Sequence, residues 1–94
     1  MPAVTRLGDT STGHCYSPRP NDSASPDVFA DGIAVHRQGD HWCTHCCGPP
    51  CHDGVLASGS STVYVNNKQC GRIGDPISCG DAVATGGPTV FAGG

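Results

Sequence analysis

The sequence predicts an all-β chain of short hairpins built as three quasi-repeats, on three observations. One tetrapeptide recurs in step along the chain. Each of two β-branched and aromatic triplets runs into a turn dipeptide. No stretch carries a 3.6-residue apolar period long enough for a helix of ten or more residues. The tetrapeptide is Arg-x-Gly-Asp, beginning at Arg6, Arg37 and Arg72 with intervals of 31 and 35 residues.

Each unit is read in the same order. A turn comes first, at residues 8–9, 39–40 and 74–75, where Gly supplies backbone freedom and an Asp side chain bonds nearby N–H groups. Asp9, Asp40 and Asp75 are therefore turn formers rather than catalytic acids. Arg6, Arg37 and Arg72 are expected to pair with acidic groups on neighbouring edges. A loop of variable length follows, over 10–24, 41–57 and 76–85. Next come the strand triplets Val28-Phe29-Ala30 and Val63-Tyr64-Val65, of the residue types that strands favour. Asp31-Gly32 and Asn66-Asn67 suit two-residue hairpin turns, which need positive φ at both central positions. A further copy, Gly87-Pro88-Thr89-Val90-Phe91-Ala92, stands at the end. Three such units closed around an axis have approximate threefold symmetry, and residues 1–94 read as one domain.

Composition limits the function. The 94 residues are 36% hydrophobic, a share that includes seven Cys, and large core formers are few. So thin a core is expected to need a metal, disulfides or a partner surface. A net charge of −3 with only five Lys and Arg argues against nucleic acid as a partner. No segment approaches the ~20 apolar residues of a membrane-spanning helix. The Met1 to Asp9 start has no apolar signal region, so synthesis in a bacterial cytoplasm without a signal peptide is expected.

Five His and seven Cys are the chemically loaded feature. Gly8-Asp9-x4-His14-Cys15 matches Gly39-Asp40-x4-His45-Cys46, and the third unit offers Gly74-Asp75-x3-Cys79. Equivalent positions converge on the axis, so His14, His45 and Cys79 are expected at a common point. A closed tetrahedral zinc site needs a fourth N or S ligand, and His52 is the best candidate. His41 or Cys43 can replace His45 on chemistry alone, because Cys43-x2-Cys46 also has zinc-finger spacing. Cys15, Cys46, Cys47 and Cys51 make one or two disulfides or remain thiols. Cys70 reads as a small buried hydrophobe. His36 reads as a surface or sheet-packed histidine whose replacement by alanine leaves metal content and melting unchanged. Trp42 is either a core cap or an exposed anchor.

Hairpins of this kind, each followed by Arg-x-Gly-Asp, resemble the PAAR-repeat family from Arg6 to Gly94, although the signature tetrapeptide keeps only its arginine in Ala34-Val35-His36-Arg37 and Gln69-Cys70-Gly71-Arg72. The resemblance implies a small cone or pyramid of short hairpins with a metal at its vertex, held by three His and one Cys. The metal is zinc, with iron the alternative. It also implies a structural tip, not an enzyme, that caps a trimeric β-helical spike of a phage tail or a type VI secretion needle. One tip per trimer, transient contact with a target membrane and no small-molecule substrate follow. Two other readings compete. A free-standing zinc-binding adaptor explains residues 41–52 but leaves the repeats without a reason. A zinc hydrolase with Asp53 or Asp81 as general base lacks any HExxH-type helix.

Overall fold

The computed structural model describes residues 1–13, 18–46 and 51–94, apart from the side chains of His45 and His52. Among them lie six strands in three antiparallel pairs: β1 (Phe29–Ala30) with β2 (Ile33–Ala34), β3 (His41–Cys46) with β4 (Cys51–Val55), and β5 (Tyr64–Val65) with β6 (Lys68–Gln69). The chain measures 37 × 24 × 21 Å along its principal axes.

Local chemistry makes the turns. At the β1–β2 connection Asp31 and Gly32 have φ of 53° and 78°, and at β5–β6 Asn66 and Asn67 have 53° and 66°, the two positive values that match strand twist. A serine primes each of these hairpins. Ser25 Oγ accepts the N–H of Asp27 at 3.2 Å and of Val28 at 2.9 Å. Ser60 Oγ repeats this with Thr62 and Val63 at 3.2 and 2.9 Å.

The Arg-x-Gly-Asp units are four-residue turns with the glycine third, closed by Asp N–H to Arg carbonyl bonds of 3.0, 2.9 and 3.1 Å. Gly8, Gly39 and Gly74 have φ of 88°, 87° and 90°, the region a type II turn needs at that position. The aspartate then folds back on its own turn. Its Oδ2 accepts the backbone N–H of Arg6, Arg37 or Arg72 at 2.7–2.8 Å and the same residue's Nε–H at 2.9–3.2 Å. The carboxylate partner of each arginine therefore lies within its own motif, because the turn brings Asp beside the guanidinium three residues back, while Arg37 Nη1 donates to Asn66 Oδ1 at 3.1 Å and Arg72 Nη1 to Gly93 O at 3.0 Å on other units. Arg37 Nη2 adds a second bond to Asp40 Oδ1 at 3.0 Å, as Arg72 does to Asp75 at 2.9 Å. Burial pushes the Asp40 carboxyl up, but the Arg37 guanidinium and backbone N–H outweigh it and leave the group below its ordinary value.

Threefold closure is visible in the hydrogen bonds. Thr5, His36 and Gly71, each just ahead of its arginine, form a cycle: Thr5 N–H to Gly71 O, His36 N–H to Thr5 O and Gly71 N–H to His36 O, at 3.0, 3.1 and 3.0 Å. Bridges pair Arg6 with Val35, Arg37 with Cys70 and Arg72 with Val4. The third hairpin is split between the chain ends. Ala3 bridges Phe91, Val4 N–H donates to Val90 O at 2.9 Å, and Ala92 N–H donates to Pro2 O at 3.1 Å. The copy ending in Ala92 thus finds its return strand at residues 2–4.

Two apolar clusters stack on either side of that cycle. Val4, Val35 and Cys70 with Ala30, Val65 and Ala92 form one, on the hairpin side, each trio at equivalent positions. Cys70 fills its place as a hydrophobe, 2% exposed, and burial pushes its thiol up to about 11. Trp42, Leu56, Ile77 and Val83 form the second cluster, with Cys79 packed against it. Trp42 is a core residue, at 1% exposure. His36 is fully buried between these layers. Its Nδ1–H donates to Ser23 O at 2.7 Å and its ring meets Trp42 edge-on at 5.1 Å. The sheet-packed reading of His36 holds, whereas a silent alanine replacement does not fit a fully buried side chain bonded to Ser23 and packed on Trp42.

Candidate metal-bearing tip

Beyond the second cluster the three units run on as hairpins of unequal length. Thr10 bridges Pro20, β3 pairs with β4 from His41 opposite Val55, and Pro76 bridges Ala82. The segment 41–57, expected from sequence to be a loop, contains the longest strand pair among the described residues. Its strands are rich in His and Cys and show no apolar alternation. Their pairing is supported from outside: Cys43 N–H donates to Pro20 O at 3.1 Å, Asp22 N–H to His41 O at 3.0 Å and Ser78 N–H to Val55 O at 2.9 Å.

This hairpin places two of the expected metal ligands. His45 and His52 are direct cross-strand partners, and Cys46 faces Cys51 in the next pair. Cys46 and Cys51 are joined by a disulfide with Cα atoms 4.0 Å apart, so one of the cysteine pairings left open by the sequence is made. Cys15 and Cys47 lie outside the described residues, as does His14. The side chains of His45 and His52 also lie outside them. Cys43, Cys70 and Cys79 are thiols.

Cys79 is half-buried in the short third loop, which lies directly on β4. A Cβ at Gly54 would stand 3.0 Å from Ile77 Cγ2, 3.3 Å from Ser78 Oγ and 3.5 Å from Cys79 Cβ. Glycine at 54 lets the third loop approach that closely, and Ser78 Oγ accepts the Val55 N–H at 3.0 Å. Cys79 thus sits beside the strand that carries His52. A turn closed by Gly80 N–H to Ile77 O at 2.9 Å, with Gly80 at φ 97°, holds it there.

His41 has a different occupation. Its Nδ1 lies 2.6 Å from Asp22 Oδ1 and its Nε2 lies 2.7 Å from Asp53 Oδ2. A ring nitrogen that ligates a metal needs its lone pair, and both nitrogens of His41 are engaged by carboxylates. The hydrogen bonds from Asp53 and then Asp22 raise its pKa. Cys43 stands two residues on. Burial, then the Asp22 charge, raises its thiol, with Arg19 opposing. Both alternatives to His45 thus carry other interactions: the His41 nitrogens face Asp22 and Asp53, and the Cys43 thiol is raised by burial and then by Asp22. Asp53 is committed to His41. Asp81 is 5% exposed and accepts N–H groups from Gly13 and Ala82, each at 2.9 Å. Of the two acids imagined as general bases, Asp53 thus bonds across the β3–β4 pair and Asp81 ties the first loop to the third.

At the opposite end, the hairpins expose equivalent apolar residues. Phe29, Tyr64 and Phe91 are 60%, 58% and 49% exposed, beside Val28, Val63 and Val90. The sequence signal was present, since these residues alternate with the buried Ala30, Val65 and Ala92.

A closed ring of three Arg-x-Gly-Asp hairpin units, apolar at one end and His/Cys-rich at the other, defines a small all-β domain with approximate internal threefold symmetry. A sequence-family model described as "PAAR motif" matches residues 21–85, and the chain belongs to that family. It is 31% identical over 74 residues, 72% of its length, to the NAD(P)(+) glycohydrolase toxin Tse6 of Pseudomonas aeruginosa PAO1. The same identity and coverage relate it to the (p)ppApp synthetase toxin Tas1 of P. aeruginosa UCBPP-PA14. In both cases the match spans 17% of the relative.

Proposed function

We propose that this chain is the structural cap of a trimeric spike in a contractile injection machine, either a type VI secretion needle or a phage tail. The observation that carries this reading is the ring of Phe29, Tyr64 and Phe91. Three exposed aromatic side chains sit at equivalent positions on one end of a single chain. A homotrimer presents three identical apolar sockets about its axis, so one cap engages all three subunits at once. Exposed aromatic residues of this size are the usual energetic anchors of protein interfaces. Attachment at the hairpin end directs the tapering loops outward, toward the target membrane.

The role is mechanical. Sheath contraction supplies the work and the cap transmits it, so the tip loops must stay bound together under load. A zinc ion held by His14, His45, His52 and Cys79 fits that need. The donor set is the neutral-imidazole and thiolate mixture zinc prefers. The cross-strand register of His45 and His52 and the seating of Cys79 on Gly54 are compatible with a shared site. When bound, the ion would supply a cross-link among three loops. The chain's own contribution is to pre-pair β3 with β4 and to seat the Cys79 loop on β4. A site filled by four protein ligands has no open position for substrate, and the reading assigns no catalysis to this domain.

Native mass spectrometry of the cap with its spike tests the central claim. A ratio of one chain to three spike subunits is expected, and Phe29→Asp together with Tyr64→Asp should abolish the complex. A ratio of three to three would overturn the threefold-cap reading.

A further inference from the structure

We propose that Asp81 is the positioning residue of the tip, tying the first loop to the third so that their metal-ligating side chains share one site. The proposal rests on the zinc reading above. Asp81 follows Cys79 by two residues. Its Oδ2 accepts the N–H of Gly13 at 2.9 Å, and its Oδ1 accepts the Thr12 hydroxyl and the Ala82 N–H. Its own carbonyl accepts the Ile77 N–H at 2.8 Å, closing the base of the Cys79 turn. Gly13 is the residue immediately before His14. One carboxylate thus grips the backbone next to one expected ligand while its main chain shapes the turn that carries another.

The surrounding contacts extend the same arrangement. Thr12 N–H donates to Ala82 O at 2.9 Å, and Ser11 bridges Val83, so the first loop leaves the core already paired with the third. Gly13 takes φ 79°, a conformation that favours glycine, at the point where Asp81 holds it. On its other side the third loop reaches β4 through Ser78. The shortest tip loop therefore contacts both longer ones through side chains flanking Cys79. Groups that orient metal ligands from outside the coordination sphere commonly change metal affinity by about ten- to a hundredfold when removed.

The test uses Asp81→Asn in the full chain. The amide keeps an acceptor toward Thr12 and Ala82 but turns a donor toward the Gly13 N–H. Zinc affinity, read by competition with a chromophoric chelator, should weaken by about ten- to a hundredfold. In metal-free protein the Gly13 amide should exchange hydrogen faster, with the Val35 and Cys70 amides of the hairpin end unchanged. Thr12→Val, which removes the tie from the opposite side, should weaken zinc binding in the same direction. Unchanged affinity in both variants would overturn the proposal while leaving the zinc reading intact. Faster exchange throughout the chain would also overturn it, assigning Asp81 a general structural role. A wild-type chain that takes up no zinc would remove the zinc reading itself, and the proposal with it.

Discussion

His36 and Gly71 occupy the same position in successive units, and the Gly71 N–H donates to the His36 carbonyl at 3.0 Å. A Cβ at Gly71 would lie 2.9 Å from the His36 carbonyl oxygen, 2.9 Å from Thr5 Cγ2 and 2.8 Å from Leu56 Cδ2. The histidine is fully buried there. The ring holds one large, one medium and one absent side chain at equivalent sites, so its symmetry is one of backbone and not of volume.

Gly71→Ala is therefore expected to destabilise the chain, although the substitution adds one methyl group. Two of the three contacts are side chains that can shift, but the third is a backbone carbonyl within the hydrogen-bonded cycle. Overpacking of this kind costs about 1–3 kcal/mol. In a domain this small each kcal/mol lowers the melting temperature by about 4–8 °C. A thermal melt checks this, and an unchanged midpoint would show that the axis has slack.

The His36 side of the pair predicts a pH effect. Burial lowers its pKa below the ordinary 6.5, against the raising influence of the Ser23 carbonyl. The unfolded chain then binds the proton more readily than the folded one. The contribution of neutral His36 is complete above about 6.5 and is lost as pH falls below it. Urea midpoints should drop from pH 7 to pH 5 by more in the wild type than in His36→Gln. Removing the side chain altogether, in His36→Ala, should lower stability by roughly 2–5 kcal/mol, as for other large buried groups.

How much of this was legible in the sequence follows from where the information is local. The Arg-x-Gly-Asp turns and the Asp31-Gly32 and Asn66-Asn67 hairpins are specified by residues four or fewer apart, and they form as read. The burial of Cys70 followed from its strand position. The pairing of residues 2–4 with 90–92 was not legible, because the partners lie at opposite ends of the chain with no turn between them. Nor was β3–β4, whose pairing depends on Pro20, Asp22 and Ser78 of other units. The Arg-x-Gly-Asp alignment makes Thr5, His36 and Gly71 equivalent, but the burial of His36 was not legible, because it depends on Ser23 and Trp42 of distant segments.

The exposed clasp of His41 with Asp22 and Asp53 predicts the opposite pH dependence. Both ring nitrogens face carboxylate oxygens, an arrangement that requires the protonated imidazolium. The bonds to Asp53 and Asp22 raise the pKa above 6.5. Whatever the clasp contributes is fully present below about 6.5 and fades as pH rises through the raised value. An NMR titration should place His41 above the ordinary histidine range. Asp53→Asn and Asp22→Asn should each bring it down, and an unshifted His41 in the wild type would remove the clasp.

The final prediction concerns the ligands themselves. Cys79 lies in a turn fixed on Gly54 and Val55, and His14 follows the Gly13 that Asp81 holds. If zinc joins these loops, its removal releases three segments at once, and the apparent free energy at stake is large, roughly 10–16 kcal/mol for structural zinc in small peptides. His14→Ala and Cys79→Ala should each lower zinc content and melting temperature. Hydrogen exchange should rise in the described tip segments 10–13, 41–46, 51–55 and 76–82 before it rises at the hairpin end. That end keeps its own cluster of Val4, Val35, Cys70, Ala30, Val65 and Ala92. Lys68→Ala, exposed on β6, serves as the control and should change neither quantity. Full zinc occupancy with unchanged melting in both ligand variants would place the metal elsewhere in the His/Cys-rich tip.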